Sequence, residues 1–288
     1  MQISRRAPFV LALMMPVAAQ DARAGGKLVL TDGVSSVEGS GGGGLATWSL
    51  ITGAETRDGI GGSVHVTYVA LPDFDLTSFG GAIGIKDRVE LSYAHQSFDT
   101  RDAGAALGLG RGFTFRQDIF GAKVRLVGDA VYDQDRILPQ IAVGVQYKVA
   151  NQSAVIRAVG GRESRGADFY IAATKVVLSK SMVVGATVRL TKANQFGLLG
   201  FGGDKDDRYR PQFEGSLGFL LSSKLLVGGE YRTKPDNLGF AREQDNYDGF
   251  VAWSASRRVT MTVAYVDLGD IATVRRQRGG FMSIKGGF

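Results

Sequence analysis

The chain has 288 residues, with 34 Lys and Arg against 28 Asp and Glu for a formal net charge of +6, no cysteine, two histidines and 41 glycines. A disulfide framework, a thiolate nucleophile and a Cys-based metal site are therefore unavailable, His65 and His95 alone do not make a His-rich metal centre, and no catalytic or cofactor motif is expected. The mild basicity contains no long run of one sign and no interleaved aromatics of the kind nucleic acid requires, while 44% hydrophobic residues and glycine without a G-x-y period exclude a disordered linker and collagen.

The first 24 residues read as an address. Arg5 and Arg6 precede an almost wholly apolar run from Ala7 to Ala19, and Ala22 and Ala24 then give a small-x-small cleavage pattern. The run is too short to cross a bilayer as a helix, so 1–24 is expected to be a signal peptide and 25–288 one mature domain starting at Gly25. Removing Arg5, Arg6, Arg23 and Asp21 lowers the net charge from +6 to +4.

Beyond Gly25 no apolar stretch is long enough for a membrane helix, and the hydrophobic period is two. Phe120, Ala122, Val124 and Leu126 alternate with Gly121, Lys123 and Arg125. Ile141, Val143, Val145 and Tyr147 alternate with Gln140, Ala142, Gly144, Gln146 and Lys148, and Met182 to Thr191 repeats the pattern. This rhythm predicts strands at Lys27 to Glu38, Leu45 to Gly53, Gly59 to Ala70, Asp75 to Ile85, Arg88 to Phe98, Thr114 to Gly128 and Leu138 to Val149. It continues at Ala167 to Leu178, Met182 to Lys192, Arg210 to Leu221, Leu225 to Lys234, Asn246 to Ser254, Val259 to Leu268 and Gln277 to Phe288. Fourteen is an even number, as a bacterial single-chain barrel requires. The first two strands flank the glycine-rich Gly39 to Gly44. If that stretch instead starts a segment folded into the lumen, twelve remain.

Short connections at Lys86-Asp87, Ser179 to Ser181, Ser222 to Lys224 and Ala255 to Arg257 take turns with long polar ones at Asp99 to Gly112, Asn151 to Gly166, Ala193 to Tyr209 and Pro235 to Asn246. Short turns on one rim and long loops on the other is the outer-membrane arrangement. Tyr68, Tyr93, Tyr147, Tyr231, Trp253 and Tyr265 fall on apolar faces near strand ends, as an interfacial girdle would. The last strand puts Met282, Ile284, Gly286 and Phe288 on one face, which predicts an encounter of that strand with the outer-membrane insertion machinery. The fold class expected is all-β, a transmembrane antiparallel up-and-down β-barrel in the cell outer membrane of a Gram-negative bacterium, in contact with lipid and lipopolysaccharide.

Several longer segments carry a family resemblance. Phe113 to Asp118, Leu138 to Gly144, Leu190 to Gly203 and Glu230 to Leu238 resemble the uncharacterised proteobacterial family known as domain of unknown function 3034, over nearly the whole mature chain. The resemblance implies an outer-membrane barrel and brings no catalytic residues with it.

The polar phase of the strands supplies the candidate lumen lining: Arg88, Glu90, Lys123, Arg125, Lys148, Arg189, Glu214, Glu230 and Arg232. With both signs present, these residues either pair across the interior and partly fill it or line a wet path. The leading expectation is a passive channel or export conduit for polar solutes. The alternative is a closed structural or surface-interaction barrel acting through its long extracellular loops. Two further features are weaker. His65 and His95 lie in different strands with no nucleophile motif around them, so a rim hydrolase is a minor reading. Gly108, Gly110 and Gly112 lack the dinucleotide fingerprint, and Asp204, Asp206 and Asp207 lack the downstream Glu of a calcium loop.

Overall fold

The computed structural model describes residues 30, 33–34, 36–54 and 59–288. The expected signal peptide, the cleavage point before Gly25 and the start of the first predicted strand lie outside these residues.

Twelve antiparallel strands make one closed sheet among the described residues. They are β1 (Ile60–Ala70), β2 (Asp75–Ile85), β3 (Val89–Asp99), β4 (Thr114–Val127), β5 (Gln140–Ala150) and β6 (Arg165–Val177), then β7 (Met182–Thr191), β8 (Arg210–Ser222), β9 (Leu225–Arg232), β10 (Asn246–Ser254), β11 (Val259–Asp267) and β12 (Arg278–Gly287). Each pairs with its sequence neighbours, and β1 closes the ring against β12 with His65 opposite Lys285 and Val69 opposite Phe281. Closure removes the unpaired edge that a sheet in lipid could not satisfy. Two short helices, α1 (Ala103–Ala106) and α2 (Ser153–Ala158), sit in the β3–β4 and β5–β6 loops.

Period-two alternation explains which residues face where. Val188 is 44% exposed while Arg189 beside it is 1% exposed, because successive side chains on a strand point to opposite faces. The outer face carries Val64, Val66, Phe79, Leu91, Phe120, Phe169, Ile171, Val251 and Ile284, all exposed. No soluble fold can leave such a continuous apolar belt in water. Tyr68, Tyr147, Tyr231 and Tyr265 lie outward toward the long-loop rim and Trp253 toward the short-turn rim, as interfacial anchors do. The protein is therefore an outer-membrane β-barrel. Four of the five connections on one rim are short, 86–88, 178–181, 223–224 and 255–258, the fifth being the longer 128–139, and this rim faces the periplasm by that pattern.

Among the described residues, no strand forms within the expected Lys27 to Glu38 or Leu45 to Gly53. The described part of 30–54 carries only turns, bends and one isolated bridge, Gly42 to Thr47, and nearly every residue of it is buried. The segment lies inside the barrel, so the twelve-strand count holds. It enters at the periplasmic rim, where Leu30 packs with Ala130, Val131, Val176 and Leu226. It rises to Val37 and Glu38, turns through the glycines and descends past Trp48 and Leu50 to Ala54, whose N–H donates to Phe288 O, while Gly59 just before β1 accepts from Lys86 N. Glycine is required here because the backbone lies directly on wall side chains. A Cβ at Gly43 would overlap the Glu230 carboxylate, and Gly39 holds φ +89° against the Tyr93 carbonyl.

Candidate functional site

The site is the middle of the lumen, where wall charges meet this inner segment. Glu90 on β3 accepts the Gly41 N–H at 3.0 Å and the Thr52 N–H at 2.8 Å through its two oxygens. Glu214 on β8 accepts from Thr47 N at 2.7 Å. Glu230 on β9 accepts from Leu45 N at 2.7 Å, Ala46 N at 3.2 Å and the Trp48 indole at 3.1 Å. The cations take the carbonyls. Lys123 donates to Gly41 O and Leu50 O at 2.8 and 2.7 Å, Arg232 to Leu45 O at 3.0 Å, and Lys285 to Gly33 O at 2.8 Å. A segment with no ladder of its own thus has its backbone groups satisfied by wall side chains, as burial demands, and the bonds to ionised partners are the strong kind.

One side chain of the segment joins the wall's own ion network. Glu38 pairs with Lys148, with Arg232 at 2.8 Å and with Arg189 at 3.7 Å. Lys148 also reaches Asp168 at 2.8 Å, and Arg189 and Arg232 reach Glu214 at 2.5 and 3.5 Å. Three cations therefore face three carboxylates, and the balance needs Glu38. All six are almost fully inaccessible to solvent. Buried charges of this kind are tolerated only when each is paired and hydrogen-bonded.

Of the nine lumen candidates, seven touch the inner segment or its Glu38: Glu90, Lys123, Lys148, Arg189, Glu214, Glu230 and Arg232. Arg125 is buried at the periplasmic end, bonded to Asp87 at 2.6 Å and to Gln140 at 3.4 Å. Arg88 corrects the expectation. It is exposed in the β2–β3 turn, where Lys86 and Asp87 both take positive φ and so break the alternation on which its inward phase depended. Glu38, Asp168, Gln96 and Lys285 are lumen residues that the sequence candidates do not include, and Gln140, already on the polar phase, bonds to the inner segment as well. Asp168 and Lys285 have the inward phase of β6 and β12, whereas Glu38 ends the stretch Lys27 to Glu38 that the alternation assigns to a wall strand.

The extracellular end of the lumen is roofed by its loops. In the β7–β8 loop, Gln195 and Phe196 take positive φ, which swings the Phe196 ring to 4.4 Å from the Arg232 guanidinium. Gln195 Nε2 donates to both oxygens of Glu243, which also pairs with Lys234 at 3.0 Å. Burial pushes the Glu243 carboxyl up, against the pull of Lys234 and Gln195. Farther out, hydrogen bonds from Arg208 and Arg210 hold Asp206 well below the usual carboxylate range, Asp207 accepts from Lys192 and Asp204 from Gly239 N. The three aspartates thus brace the loop.

The two histidines lie on opposite faces of the wall. His65 faces inward, its Nε2 3.5 Å from the Ser78 hydroxyl, which itself donates to Val37 O. His95 faces outward, bonded through Nδ1 to Asp118 at 2.9 Å, with the Tyr93 hydroxyl donating to the same oxygen. No serine hydroxyl is bonded to His95 among the described residues.

The family model described as a protein of unknown function, DUF3034, matches residues 31–285. No curated protein matches the sequence at a significant level. Among solved structures, the KdgM porin superposes at TM-score 0.50 with 9% identity, over 78% of this chain and 99% of that one. The KdgM porin in complex with disordered oligogalacturonate gives 0.51 with 10% identity over 78% and 99%, and the NanC porin 0.51 with 9% identity over 78% and 98%. At such identity the likeness establishes the fold alone.

Proposed function

We propose, from the premise that the chain belongs to the DUF3034 family and has the outer-membrane barrel fold, that it is a gated channel whose conduit is closed by its own segment 30–54. The observation that carries this reading is the seating of Glu38 between Lys148 and Arg232, at the centre of a wall whose charges are bonded to the segment and to one another. A wall that only braced the sheet could pair its charges strand to strand, as Lys123 and Glu90 do at 3.1 Å. Here the same groups also hold a strand-free peptide. Polar side chains bonded to a peptide do not line a standing water path, which favours gated over passive flow. The porin fold of KdgM and NanC accommodates conduits, and that supports a channel without specifying what passes.

Planar-bilayer recording tests the proposal. The intact protein is expected to be closed for most of the record, and deletion of residues 36–54 to give a steady conductance. Equal currents from the two would remove it. The alternative, a closed barrel working through its loops, is weakened by the way those loops fold inward over the lumen instead of reaching outward.

A further inference from the structure

The charged middle of the lumen gives way, on the extracellular side, to an apolar chamber. The alternation that puts Glu90, Ser92 and Gln96 inward on β3 ends inward on Phe98. On β1 it ends on Val69, on β4 it starts from Phe115, on β11 it ends on Val266, and on β12 it starts from Phe281. One arc of the upper wall is therefore apolar on the face a water-filled pore would keep polar. Phe74 stacks on Phe98 with centroids 5.0 Å apart. Val37 and Leu45 of the inner segment form the floor, and Leu107, Leu109, Val155 and Leu198 from three loops form the roof, around a cavity of about 140 Å3. Interiors seldom keep voids much larger than a water molecule. Apolar-lined cavities on the order of 150 Å3 stay dry and take up benzene or xenon.

We propose that this chamber is a binding site for a small neutral apolar molecule of about one-ring size. The proposal rests on the channel reading above and names the class of its cargo. Neutrality follows from how the polar groups at the cavity are occupied. Gln96 Nε2 donates to Val37 O at 2.7 Å and its Oε1 accepts from Gln117 at 2.6 Å. The Thr100 hydroxyl donates to Phe113 O, and Gln195 is bonded to Glu243. A carboxylate in the chamber would be desolvated with nothing to pair it. Because Val37 adjoins Glu38, a molecule resting on the floor touches the seat of the closing segment.

Crystals of the full-length protein soaked in bromobenzene, and in parallel in 4-bromobenzoate, test this by bromine anomalous scattering, which ignores partition into detergent. The expected result is one bromobenzene site between Phe98 and Phe281, no benzoate there, and occupancy reduced by a factor on the order of ten in L109W, a loop substitution whose folding is checked by gel migration. No bromine in the chamber, bromine only on the lipid-facing belt, or benzoate bound as well as bromobenzene would each overturn it. The two readings fail separately. An empty chamber beside a conducting 36–54 deletion sinks the cargo class and leaves the channel. A filled chamber with no current from any variant sinks the channel and leaves a binding site.

Discussion

Glu38 is where a single atom group decides the state of the lumen. Replacing it by Gln keeps the shape and removes the charge, leaving Lys148, Arg189 and Arg232 to share Asp168 and Glu214. Breaking a buried pair typically costs about 3–5 kcal/mol. Because each cation keeps a second partner, the low end applies, so E38Q should raise the open fraction roughly 100-fold. Single-channel open probability measures this, and a value equal to that of the unaltered protein would show that the ion network does not hold the segment. Much of this cluster was legible beforehand. Lys148 and Arg189 alternate with Tyr147 and Val188, so their inward phase follows from period two alone. Arg88 departs from its inward phase because two left-handed residues precede it, and Glu38 is not legible because the alternation assigns it to a wall strand, whereas the described part of 30–54 carries turns and bends inside the barrel.

At the scale of elements, β-propensity in Leu45 to Gly53 was real, but strand identity requires a partner ladder, and the wall offers side chains instead. Ser49 shows the substitution: its N–H donates to the Thr174 hydroxyl at 2.9 Å, its own hydroxyl donates to Gln140 O, and its carbonyl accepts from the Gln140 side-chain amide. The chain has no cysteine, so the pair S49C and T174C can be introduced without competing thiols. Oxidation should hold the segment against β6 and abolish openings of the E38Q background, and reductant should restore them. Openings that persist in the oxidised protein would mean that current flows by another path. The apolar chamber was equally hidden from the sequence, since Phe98 and Phe281 share a phase with Gln96 and Ser283 and nothing in the alternation shows that the inner face changes character with height.

For the whole molecule, every strand pairing is between wall strands, and none includes residues 36–54. The barrel should therefore survive loss of the segment, with water replacing the lost partners of Glu90, Glu214 and Glu230. The 36–54 deletion is expected to keep the heat-modifiable gel migration of a closed barrel, shifting only on boiling. If it runs as unfolded without heating, the segment is part of the scaffold and not a stopper.

The described ends of the inner segment lie at the same mouth, Leu30 beside Ala130 and Gly59 beside Lys86. The segment can leave the lumen through that mouth with no ladder bond of the cylinder to break. From the opposite mouth it is out of reach beneath Phe196 and its neighbours. On the gated-channel proposal, a partner that withdraws the segment would do so from the periplasmic mouth, where its described ends lie.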